Sequence, residues 1–72
     1  MKVTIRAARV NAGLTQAKAG ELSGIGREAI HAIELGKRYI KVEEMDVLCK
    51  LYNCTKNDIN LPYKLTKSDA RQ

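Results

Sequence analysis

The sequence predicts an all-α protein, a compact bundle of five short helices. Three observations point that way. The chain has 72 residues and neither Phe nor Trp, so its core must be assembled from Leu, Ile, Val, Ala, Met and a Tyr. Such side chains suit short, closely packed helices better than a sandwich. Apolar residues recur at helical spacing in successive segments, and Thr or Gly stands at most of their ends, where helices are capped.

The first helix is expected over about Ile5 to Ala12, capped by Thr4, with Ile5 and Ala8 facing inward and Gly13 ending it. Thr15 caps a second, in which Gln16, Ala17, Lys18 and Ala19 are willing helix formers. Ser23-Gly24 then breaks the chain at a turn, because Gly24 is free to take the positive φ that closes a helix. A third helix runs from Arg27 to Leu35 and stops at Gly36. The fourth is expected from about Val42 to Tyr52, with Val42, Met45, Leu48, Cys49 and Tyr52 along one face. Glu43, Glu44 and Asp46 crowd its first turns, where the helix dipole favours negative charge. The fifth follows Thr55, with Asp58 as an approximate capping-box partner, and covers about Lys56 to Leu61 before Pro62 stops it. Residues 1–62 thus make one domain, and residues 63–72 (YKLTKSDARQ), polar and aperiodic, a flexible tail. Tyr63 and Leu65 are the tail residues that can pack against a neighbour.

Composition excludes several functions. No run approaches the ~20 apolar residues of a membrane span, and no apolar leader precedes the first helix. The chain is therefore expected to be cytoplasmic, complete and unconnected with membranes. Cys49 and Cys54 form no CxxC pair and have no histidine nearby, so they read as small apolar fillers in a reducing compartment, with no metal and no cofactor implied. No paired carboxylates, phosphate-binding glycine loop or Cys–His arrangement stands out, and an enzyme is not expected.

The net charge of +5 is unevenly placed. Residues 1–41 hold eight Lys or Arg against three Glu, whereas bases and acids cancel over residues 42–72. By itself such a basic half fits a solvated face as well as a nucleic-acid surface. It coincides, however, with the second and third helices, which together with the turn at Ser23-Gly24 form a helix-turn-helix unit. In such units the second helix reads the major groove of DNA.

The chain resembles the Cro/cI-type helix-turn-helix proteins (the XRE family), whose fold is that of the λ-repressor-like DNA-binding domains of phage repressors and many small bacterial regulators. The matching string runs from Ile5 to Ile59, about three quarters of the sequence. Its marks are Arg9, Gly13-Leu14-Thr15-Gln16, Gly24-Ile25, Arg27, Ile30, Ile33-Glu34 and Gly36-Lys37-Arg38, followed by the apolar Met45, Leu48, Cys54 and Ile59. There are departures. Ala19-Gly20 stands where the family usually has Leu-Ala: Gly20 keeps the two helices close at about 1 kcal/mol of helix propensity, and Leu22 is expected to restore part of the volume lost at Ala19. Gly26 replaces the usual Ser or Thr cap of the third helix, and Lys41 stands where Ser often caps the fourth.

The resemblance implies that Gln16, at the start of the second helix, meets a phosphate through its amide and the helix N-terminus. Arg27 and Glu28 open the third helix, whose N-terminal residues reach base edges. Arg27 suits guanine O6 and N7 or a phosphate, and Glu28 suits cytosine N4 or simply offsets the helix dipole. His31 and Ala32, one turn on, belong to the same exposed face; His31 can donate to a base or phosphate, and Ala32 can touch a thymine methyl. Ile30 and Ile33 fall on the core side. Lys37, Arg38 and Lys41 come after the third helix and are placed to grip the DNA backbone, which positions a protein without reading sequence. Tyr39 is expected either to add a hydroxyl to a phosphate or to cover the core. Arg9 and Glu34 resemble a family pair that joins the first and third helices as a mostly buried ion pair.

The expected function is therefore sequence-specific binding of double-stranded DNA by a transcriptional regulator, a repressor of the phage or prophage kind. A homodimer is expected on a two-fold symmetric site, joined through the fifth helix with Leu61, Pro62, Tyr63 and Leu65. The alternative is an antitoxin or accessory module that uses the same fold chiefly to bind a protein partner.

Overall fold

The computed structural model describes residues 2–61. A two-residue strand, β1 (Val3–Thr4), leads straight into α1 (Ile5–Asn11), followed by α2 (Gln16–Ser23), α3 (Arg27–Leu35) and α4 (Val42–Tyr52). One 3-10 turn at Lys56–Asp58 precedes a second short strand, β2 (Ile59–Asn60). The Thr4 and Thr15 hydroxyls cap α1 and α2 by accepting the N–H groups of Ala7 and Lys18, each at 3.0 Å. Gly26, at φ 103°, lies in backbone territory that side chains rarely enter, which explains a glycine as the cap of α3 despite its lack of an acceptor. The Lys41 side chain cannot accept either, and α4 is capped from within: the Glu44 carboxylate accepts the Lys41 N–H at 3.1 Å.

In place of the fifth helix expected over about Lys56 to Leu61, the chain makes a single turn and then extends, so the described bundle has four α-helices. The Asp58 carboxylate accepts both the N–H and the hydroxyl of Thr55 at 3.0 Å, and the Thr55 N–H bond holds that carboxyl below the usual range. Asn57, Asp58 and Asn60 are weak helix formers, and a residue preceding proline, as Leu61 does, is disfavoured in the α region. The β-branched Ile59 instead pairs in parallel with Val3, and Asn60 with Thr4. Of the four residues singled out for the dimer surface, only Leu61, packed half-buried against the core, falls within the described residues. Pro62, Tyr63, Leu65 and the tail over residues 63–72 lie outside them.

The core gathers Ile5 and Ala8 of α1, Ala19 of α2, Ile30 and Ile33 of α3, Met45, Leu48, Cys49 and Tyr52 of α4, and Ile59 of β2. Two expectations about it need correction. Leu22 is 54% exposed and restores no volume beside Ala19. The space is closed by proximity instead: α2 turns Ala19 and Gly20 inward, and these small residues let it lie directly on the start of α3. Tyr39 is 74% exposed and does not cover the core; its neighbour Ile40 turns in.

Burial pushes the Cys49 thiol up to about 11 and the Tyr52 phenol up to about 12, from ordinary values of 9.0 and 10.0. The Tyr52 hydroxyl is buried without a hydrogen-bond partner among the described residues. Both groups lose their protons more readily in the unfolded chain, so their support of the fold is intact below about pH 9 and is lost as pH rises through 11 to 12. The urea midpoint should therefore be level from pH 7 to about 9 and then decline, and Tyr52→Phe should flatten part of that decline. An equal decline in the variant would remove Tyr52 as a cause.

Candidate nucleic-acid interface

The sequence REAIHAIEL makes α3 two-sided. Ile30 and Ile33 are sealed at 0% and 1% exposure, while Arg27, Glu28 and His31 are exposed, with Ala32 half-buried beside them. Helical periodicity alone sorts these residues: the apolar positions are three apart and the polar ones fill the opposite arc. Neither Arg27 nor Glu28 has an ion-pair partner among the described residues. The helix thus presents charged, uncommitted side chains along its first turns.

One polar cluster ties α3 to both α1 and α2. The Arg9 guanidinium meets the Glu34 carboxylate through Nε at 2.7 Å and Nη2 at 3.2 Å, and donates from Nη1 to the Leu14 carbonyl at 2.7 Å. The Glu34 side chain is 3% exposed and that of Arg9 9%. This hydrogen bonding to Glu34 holds the Arg9 guanidinium above its ordinary pKa.

Glu34 also orients Gln16. The Gln16 Nε2 donates to Glu34 Oε1 at 3.0 Å and lies 3.3 Å from His31 Nδ1. With one amide hydrogen given to Glu34, an anion at this end of α2 would also meet the first backbone N–H groups, which have no acceptor within the helix. In the tautomer that accepts at Nδ1, the ring of the exposed His31 carries its proton on Nε2.

Beyond α3, Lys37 and Lys41 are exposed, whereas Arg38 is half-buried in a two-pronged pair with Glu44 at 2.8 and 2.9 Å. The Arg38 bonds hold the Glu44 carboxyl below the usual carboxylate range. Arg38, read from the sequence as a grip on the DNA backbone, is thus held in place by Glu44.

Between α1, the start of α2 and α3 lies an open groove of about 720 Å³, lined among others by Arg6, Arg9, Gln16, Arg27, His31 and Glu34. Arg6 is the residue that sequence reasoning passed over. Its signal was there: it precedes Arg9 by three positions and so shares a side of α1 with the residue expected to face Glu34. Among the described residues no three His, Cys, Asp or Glu side chains converge on a metal position, and both cysteines are free. No helix among them is long and apolar enough to cross a membrane.

A short helix exposing cations and hydrogen-bonding groups, held at a fixed angle beside the N-terminus of a second, is the architecture of a DNA-binding helix-turn-helix domain. A sequence model of the helix-turn-helix family of Cro/cI type matches residues 5–59, and the chain belongs to that family. It is accordingly a DNA-binding regulator in class. Comparisons with curated proteins and with solved structures gave no significant match.

Proposed function

We propose that this protein is a sequence-specific repressor that places α3 in the major groove of double-stranded DNA. The exposed first turns of α3, set on a sealed apolar side, are the observation that supports it most. Arg27, Glu28, His31 and Ala32 make the base contacts. Gln16 with the start of α2, and Lys37, Arg38 and Lys41 after α3, hold the phosphates. Arg38 acts from its fixed place on Glu44. A single module of this size buries limited DNA surface, so useful affinity calls for a homodimer on a two-fold symmetric site.

The test is selection from random duplexes by the purified protein, followed by titration of the winner and a scrambled duplex across a salt series. A two-fold symmetric winner bound about 10³-fold more tightly than the scramble is the expected result. Arg27→Ala should cost about 1–3 kcal/mol on that site and relax preference at one base pair, whereas Lys37→Ala should weaken all duplexes alike and lower the salt slope by about 1. Recovery of no motif, with only weak binding left, would set the repressor reading aside in favour of a protein-binding module.

A further inference from the structure

Ion pairing sorts the basic side chains of this domain. Arg9 is closed on Glu34, Arg38 on Glu44, Lys18 on Glu21 and Lys56 on Asp46. Arg6 has neither an ion pair nor a hydrogen bond from its side chain among the described residues, and it is exposed on α1. It nonetheless lines the groove that also holds Gln16, Arg27 and His31.

The electrostatics of that groove are one-sided. Three arginines, Arg6, Arg9 and Arg27, line it against the single carboxylate of Glu34. That carboxylate is already engaged by Arg9 and Gln16. Excess positive charge in a concave surface attracts an anion, and guanidinium donors match the oxygens of a phosphate. The location selects which phosphate. Arg27 and His31 belong both to this groove and to the exposed face of α3, where a smaller hollow joins them to Gln16 and Glu28. A duplex seated on α3 therefore carries one of its strands past Arg6.

We propose, building on the DNA-binding reading above, that Arg6 is a DNA-backbone contact whose guanidinium grips a phosphate diester lying in the groove between α1 and the start of α2. Arg6 positions the duplex and reads no base.

The experiment compares the intact protein with Arg6→Gln, Arg6→Lys and Lys50→Gln, each titrated with the selected duplex over a salt series. Lys50 is exposed on α4, outside the groove lining. Arg6→Gln should lower the slope of log affinity against log salt by about 0.9. With lines that converge at 1 M salt, that slope change is about an eightfold loss at 0.1 M. Arg6→Lys should retain most of the slope, Lys50→Gln all of it, and the preferred sequence and thermal midpoint should be unchanged by Arg6→Gln. An unaltered slope in Arg6→Gln, or an altered sequence preference, would overturn the assignment while leaving DNA binding intact. Absence of salt-dependent duplex binding by the unsubstituted protein would instead fail the DNA reading itself, and Arg6 with it.

Discussion

Glu34→Ala is expected to destabilise the protein by about 3–5 kcal/mol, the usual consequence of stranding a buried charge. Arg9 is 7% exposed and keeps only its bond to the Leu14 carbonyl once the carboxylate is gone. A domain of this size has on the order of 5 kcal/mol to lose, so the variant should be substantially unfolded near room temperature. Urea denaturation followed by helical circular dichroism measures this directly. Removing both charges, as in Arg9→Met with Glu34→Leu, should recover most of the loss, because a well-packed apolar pair is often as stable as a buried ion pair. A Glu34→Ala protein within about 1 kcal/mol of the original would mean that Arg9 finds water.

Gly20→Ala should also be damaging, although in an ordinary helix the change is favourable by about 1 kcal/mol. A β-carbon at this position would sit 2.5 Å from the Arg27 nitrogen, 2.6 Å from the Gly26 carbonyl carbon and 2.9 Å from the Arg27 α-carbon. All three are backbone atoms, so no side chain can rotate away and the start of α3 must move. Overpacking of this kind costs about 1–3 kcal/mol, and with backbone on both sides the upper end applies. The net loss of about 2 kcal/mol lowers the melting temperature by on the order of 10 °C. A variant as stable as the original would show that α2 and α3 can separate without penalty. In the expected case, surviving folded protein should also bind DNA less well, because Arg27 is displaced.

Most of the helical framework was legible because its signals are local. Thr15, Gly24 and Gly36 are caps whose effect does not depend on distant residues, and α3 and α4 begin and end where those signals and the apolar spacing place them. The end of the domain was not legible for the opposite reason. Thr55 and Asp58 do close a turn, but the path of the chain beyond Asp58 is decided by Val3, far away in sequence, which offers Ile59 a strand partner. Leu22 misled for a related reason: its apolarity suggested the core, yet the small faces of Ala19 and Gly20 had already brought the helices together. At the site, periodicity separated the exposed arc of α3 from its buried one. It could not show that Arg38 is tied to Glu44, or that Gln16 is turned toward Glu34 and His31, since these pairs depend on how separate segments meet.

The parallel pairing of β1 with β2 gives the two ends of the described chain a shared fate. Val3 and Thr4 continue without a break into α1, the helix that carries Arg6 and Arg9, while Asn60 leads to Leu61 and the residues after it. Traction applied beyond Leu61, by a tether or by a second subunit, is handed across the ladder to the root of α1. Fraying at either terminus likewise releases the other, because each strand has the other as its ladder partner. Asn60, near the end of the described residues, is mechanically next door to the root of α1, and changes made there act on that helix as leverage.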